Sequence, residues 1–162
     1  MNYHDIVKED MLNGSGIRTV LFVSGCLHKC KGCHNPQTWA SDSGIPFDED
    51  AVEEIREEMR KPYISGLTLS GGDPLYCVNY DTCLELCKQM KKEFPNKNIW
   101  LYTGSVWEDI KTLEIMEYLD VVVDGEFKQE LKDVKYPYAG STNQRVIDVR
   151  LSLAQDKIVL FQ

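Results

Sequence analysis

Residues 16–35 read GIRTVLFVSGCLHKCKGCHN. The first half, Gly16 to Gly25, is β-branched and apolar with a glycine at each end, the pattern of a buried strand. The loop that follows carries Cys26, Cys30 and Cys33, spaced Cys-x3-Cys-x2-Cys. That is one thiolate too few for a closed site. Structural zinc normally takes four protein ligands, and iron–sulfur clusters commonly take four cysteines. If these three hold a four-iron cluster, one iron has no cysteine from the motif, and a small molecule can bind and react there. Inert buried thiols would suit an apolar stretch, but Lys29, Lys31 and Gly32 lie between these cysteines. A zinc site completed by His28 or His34 is the competing reading.

Outward from this stretch, strands and helices alternate. FDEDAVEEIREEMR (47–60) reads as a helix with Asp48 as N-cap and acids in its first turn. GLTLSGGD (66–73) is a short strand ending in a double glycine. NYDTCLELCKQMKKEF (79–94) is an amphipathic helix closed by Pro95. NIWLYTG (98–104), VWEDIKTLEIMEYL (106–119) and DVVVDG (120–125) read as strand, helix and strand. RVIDVR (145–150) and KIVLFQ (157–162) read as further strands. The alternation predicts an α/β fold with a mostly parallel sheet joined by right-handed crossovers. A full eight-unit barrel takes about 250 residues, so 162 residues leave a partial βα barrel or an open sheet. Ligands in such folds bind at the carboxyl ends of the strands. Four segments fall there: the cysteine loop, GGDPL, YTG and DGEF. With no internal repeat or low-complexity linker, residues 1–162 read as one domain.

Composition narrows the function. Hydrophobic residues make up 43% of the chain, which suits a globule. A net charge of −8 argues against non-specific binding to nucleic acid or anionic membranes. No apolar run reaches the ~20 residues of a membrane span. The start, MNYHDIVKED, lacks a signal-peptide core. The expected location is therefore the cytoplasm, where six cysteines stay reduced and available to metals. Cys83 and Cys87, four apart on a helix, share a face; with Cys77 they read as core thiols in preference to a second metal site.

The cysteine spacing after a first strand resembles the signature of the radical S-adenosylmethionine (SAM) enzymes. NGSGIRTVLFVSGC (13–26), CKGCHNPQTW (30–39), LSGGDPLY (69–76), DIKTLE (109–114), VVDGEF (122–127) and GSTNQRVID (140–148) together resemble the activases of anaerobic ribonucleoside-triphosphate reductases. The resemblance implies a partial βα barrel of radical SAM type. It implies that Cys26, Cys30 and Cys33 ligate three irons of one 4Fe–4S cluster, and that SAM chelates the fourth. Gly71, Gly72 and Asp73 stand at the family's SAM-binding turn, where bare backbone would let the methionine amino group approach. Gly32, Cys33 and His34 would lie along SAM. The implied activity is reductive cleavage of SAM and formation of a glycyl radical on the large subunit of the reductase. A low-potential donor of the flavodoxin type would supply the electron. No side chain is needed as acid or base, so no catalytic residue is named beyond the ligands. His34 departs from the family, which usually has Tyr, Phe or Trp there. Asn143, Gln144 and Arg145 read equally as a polar loop, part of the SAM pocket or a partner contact.

Overall fold

The computed structural model describes residues 1–162. Strands β1 (Asn2–Asp10), β2 (Ile17–Val23) and β3 (Ile45–Pro46) come first, then helix α1 (Glu49–Met59) and strand β4 (Ile64–Gly71). Helix α2 (Tyr80–Glu93), strand β5 (Asn98–Tyr102), the short helix α3 (Trp107–Ile110) and strand β6 (Val121–Asp124) follow. Strand β7 (Arg145–Asp148) and helix α4 (Val149–Gln155) complete the set. The strands form one sheet in the order β3-β1-β2-β4-β5-β6-β7. The sheet is not closed: β3 and β7 are its edges.

The α/β class is as expected, but the sheet is not mostly parallel. Only β2–β4, β4–β5 and β5–β6 pair in parallel. The β1–β2, β1–β3 and β6–β7 pairs are antiparallel. The reason lies in the connections. A parallel crossover needs a dozen residues or more, usually with a helix. Residues 11–16 between β1 and β2 are too few, and no α-helix lies between β6 and β7. Strand β1 itself is invisible as a pattern, because Ile6 is its only buried residue.

The helices that were expected mostly form. Asp48 caps α1, its Oδ1 accepting from the Ala51 N–H at 3.0 Å. The helix expected over 106–119 breaks after Ile110 and resumes as a 3-10 turn, Glu114–Tyr118. Leu113 is extended between them, and this break lets Ile115, Met116 and Leu119 all reach the core. Residues 149 and 150, read as the end of a strand, instead open the helix Val149–Gln155 behind the Asp148 cap. The segment 157–162 contributes one isolated bridge, Leu160 to Ile147, and no strand.

Apolar residues separate onto the two sheet faces with period two. Leu21, Val23, Leu67, Leu69, Ile99, Leu101 and Val122 pack against Ile55 and Met59 of α1 and Leu86 and Met90 of α2. Cys83 and Cys87 belong to this core and are fully buried, as core thiols should be, but Cys77 is exposed, in the turn ahead of α2, and is not a core thiol. On the other face Trp100 packs edge-on to Tyr138 and Phe161, with centroids 5.1 and 5.0 Å away. The Arg18 guanidinium lies 5.3 Å from the Trp100 centroid. Arg18 is fully buried and has no carboxylate partner. It donates instead to Thr68 Oγ1 at 2.8 Å, Asn98 Oδ1 at 2.6 Å and the Leu67 carbonyl at 2.9 Å. Burial pushes its pKa down to about 10, still well above neutrality. These contacts fill the amino end of the sheet and leave the carboxyl end to the loops.

Candidate functional site

The four parallel strands β2, β4, β5 and β6 end on one side, and the loops after them meet there. The cysteine loop leaves β2 and is stitched at once to the turn after β4. Gly72 N–H donates to the Val23 carbonyl at 2.7 Å, and Asp73 N–H to the Gly25 carbonyl at 2.8 Å. Gly71 has φ +96°, and a Cβ there would stand 2.5 Å from Val23 N. A Cβ on Gly72 would stand 2.5 Å from Gly25 O. The double glycine is therefore required by the approach of two backbones, whatever else the turn binds.

Asn79 is a second stitch. It occupies the N-cap position of α2 but makes no cap. Its amide instead donates to the Ser24 carbonyl at 2.8 Å and the Asp73 carbonyl at 3.0 Å. An Asn ahead of a helix signals a cap in sequence, so this role was hidden by the more familiar one.

Asp73 is the hub of the site and is only 3% exposed. Its Oδ1 accepts from Leu75 N–H at 2.9 Å. Its Oδ2 accepts from Thr103 Oγ1 at 2.9 Å and from Gly104 N–H at 3.2 Å, both beyond β5. His28 Nε2 lies 2.8 Å from the same oxygen. An ionised carboxylate only accepts, so Nε2 carries the proton. That bond to Asp73 raises the His28 pKa, against the opposing effect of burial.

The loop after β6 reaches the cysteines from the other side. Glu126 Oε2 is 3.8 Å from Cys30 Sγ and 3.7 Å from His28 Nδ1. The Phe127 ring meets His34 edge-on at 5.4 Å. Gly32, at φ +76°, lies against the Gln129 side-chain amide. His34 is exposed, and its ring partner is Phe127.

Asn143, Gln144 and Arg145 hold this loop in place, residue against residue. Asn143 Nδ2 donates to the Glu126 carbonyl at 2.8 Å, and Gln144 Nε2 to the Gly125 carbonyl at 3.0 Å. Arg145 Nε donates to the buried Asp124 carboxylate at 3.1 Å. The same carboxylate accepts from the Trp107 N–H at 2.7 Å. Arg145 also forms a forked pair with Glu108, at 3.1 and 2.9 Å. The segments GSTNQR and DGEF are thus one clamp, which sequence alone left open.

Removing Arg145 leaves Asp124 buried without its cation. Arg145 is about one-third exposed, so Arg145→Ala should cost about 2 kcal/mol, below the ~3–5 kcal/mol of a fully buried pair. Urea denaturation measures it. The Arg145 hydrogen bonds also draw the Glu108 pKa down to about 2, from an ordinary 4.5. A depressed folded pKa contributes stability above the unfolded value and loses it as pH falls through the folded one. The melting temperature should therefore fall between about pH 4.5 and 2 less steeply in Glu108→Gln than in wild type.

All six cysteines are free. Cys26, Cys30 and Cys33 lie on the one loop, each partly exposed. The structure does not close their sulfurs into a metal-holding set with one another or with His, Asp or Glu. Asn35 N–H donates to Cys33 Sγ at 3.3 Å. Burial raises the pKa of Cys26 and of Cys30, and the neighbouring thiols and acids add to it. Backbone N–H groups of His28 and Lys29 offset this at Cys26, and that of Phe127 at Cys30. Bound iron would favour the thiolates over the thiols. Three free soft donors on a polar loop, beside a turn of bare backbone, fit a 4Fe–4S cluster with one open iron. The structure groups neither histidine with the cysteines as a metal-holding set; the partner of His28 is Asp73, and that of His34 is the Phe127 ring.

Comparison with known proteins defines the class. Residues 12–147 match the family described as "4Fe-4S single cluster domain". The chain is 48% identical to the anaerobic ribonucleoside-triphosphate reductase-activating protein of Enterobacteria phage T4, over 90% of this chain and 93% of that protein. It is 40% identical to the Escherichia coli protein of the same name, over 93% of this chain and 100% of that one. The Haemophilus influenzae counterpart is also 40% identical, over 89% and 96%. The chain belongs to the family of anaerobic ribonucleoside-triphosphate reductase-activating proteins.

Proposed function

We propose that this chain activates an anaerobic ribonucleoside-triphosphate reductase as a radical SAM enzyme. Cys26, Cys30 and Cys33 hold the 4Fe–4S cluster. Gly71, Gly72 and Asp73 seat SAM, with Gly32, Cys33 and His34 beside it. One observation carries the reading: the three-cysteine loop and the glycine turn are stitched together at the ends of adjacent parallel strands, in a chain of this family.

A cluster held by Cys26, Cys30 and Cys33 would supply the electron for reductive cleavage of SAM, the chemistry that would make a glycyl radical on the reductase large subunit. The residues of this chain bind and orient. The Gly71–Gly72 backbone faces the ligand. Asp73 braces the turn, since four donors already engage its carboxylate. The Asn143–Arg145 clamp holds Glu126 and Phe127 beside the cysteine loop.

The finer features follow the same reading. The open sheet with three parallel pairs is a partial barrel of radical SAM type, and residues 1–162 form its single domain. A flavodoxin-type donor suits a cluster whose potential can reach about −700 mV. A reducing cytoplasm suits six unpaired cysteines. No helix is long and apolar enough to cross a membrane.

Anaerobic reconstitution with iron and sulfide tests the proposal. About four irons with matching sulfide, a brown colour and 5′-deoxyadenosine on reduction with SAM are expected. A glycyl-radical signal should then appear on the added large subunit. A colourless protein with one zinc would replace this reading with a zinc-stabilised binding module.

A further inference from the structure

His28 belongs to the cysteine loop, yet its side chain reaches the ends of β4 and β5. Nε2 lies 2.8 Å from Asp73 Oδ2. The ring rests on the bare backbone of Gly104, where a Cβ would come within 2.5 Å of its Cδ2. Between Leu27 and His34, it is the only side chain hydrogen-bonded to a buried residue. Its neighbour Lys29 has φ +47°. A non-glycine residue persists in that region only where its surroundings hold it, and His28 is the nearest fixed point.

We propose that His28 is a positioning residue, tying the Cys26–Cys30 segment to Asp73 and Gly104 and so fixing where the thiols stand relative to the Gly71–Asp73 turn. The geometry explains three features at once: a histidine two residues after Cys26, a glycine at 104, and a buried acid that holds four donors. This assignment rests on the reading of the loop and turn as cluster and SAM sites.

The test compares wild type with His28→Ala, His28→Gln and Gly104→Ala. In the metal-free protein, amide exchange across residues 26–33 should quicken about tenfold in His28→Ala, the loss expected of one charge-assisted hydrogen bond. Exchange in the β4–β5 ladder should not change. After reconstitution, the iron content should match wild type. The KM for SAM should rise about tenfold, with a smaller change in kcat, because the bond orients without reacting. The SAM-induced change in the electron paramagnetic resonance spectrum of the reduced cluster should weaken. Gln keeps an N–H donor and should recover part of each loss. Gly104→Ala keeps every donor but displaces the ring, and should reproduce the alanine phenotype even if His28→Ala itself fails to fold. Wild-type exchange, KM and spectra in both His28→Ala and Gly104→Ala would overturn the assignment. If wild type takes up no iron, the cluster reading falls. The metal-free exchange rates then decide His28 alone, faster exchange supporting the anchor and unchanged exchange refuting it.

Discussion

Alanine at Cys26, Cys30 or Cys33 should abolish SAM cleavage, by about a thousandfold or more. Losing an outer partner of a metal ligand already costs about 10–100-fold, and under the proposed assignment the ligand itself is lost. With SAM on one iron, only three thiolates remain to keep the cluster, and no other cysteine can replace one. Cys83 and Cys87 are fully buried behind the sheet, and burial raises the Cys87 pKa to about 12. A thiol so reluctant to ionise makes a poor ligand. Cys77 is exposed but lies after the glycine turn, outside the triplet. Iron content and 5′-deoxyadenosine yield should therefore collapse in each of the three variants and survive in Cys77→Ala. Full iron retention in all three would remove the triplet from the cluster.

Gly71→Ala should destabilise the fold by about 3 kcal/mol, combining backbone strain and overpacking of roughly 1–3 kcal/mol each. Gly71 combines φ +96° with a Cβ position 2.5 Å from Val23 N and 2.7 Å from Phe22 C. Those neighbours are backbone atoms of β2 and cannot rotate away. Either β4 withdraws from β2 or the turn reshapes, and each pulls on the cysteine loop through the Gly72 and Asp73 bonds. For a chain of this size the cost corresponds to a melting temperature lowered by about 6–12 °C. Gly140→Ala is a fair control, because its nearest contact is the Phe127 ring at 2.9 Å, a side chain that can shift. A Gly71→Ala protein as stable as wild type would refute the close approach.

The central strands and the long helices were legible because their patterns are strong and local. Ile17–Val23 is an apolar run flanked by Gly16 and Gly25, Ile64–Gly71 ends in glycine, and α1 begins at an acid that does cap it. Strand β1 was not legible, because it pairs on both sides while burying only Ile6. The break in α3 follows from packing that a single helix face cannot satisfy. The cysteines and the glycine turn announced themselves by residue type and spacing. His28, Asn79 and the Asn143–Arg145 clamp did not, since each acts on a group at least 17 residues away. A polar residue with a distant partner leaves no periodic trace. The sequence offers His28 as a metal ligand, whereas its side chain meets the acid of the glycine turn.

The separation of the cysteine loop from its anchors sets an order of assembly. His28 meets an acid 45 residues downstream, and Cys30 meets one 96 residues downstream. Chains emerge at about 5–20 residues per second, so the loop leaves the ribosome several seconds before Glu126. Iron offered in that interval would meet the three thiols before Glu126 stands beside them. Residues 124–126 gain their last partners only when Asn143, Gln144 and the start of β7 arrive. Under the proposed assignment, a cluster on the cysteine loop would depend for its surroundings on a late segment that contributes no thiol.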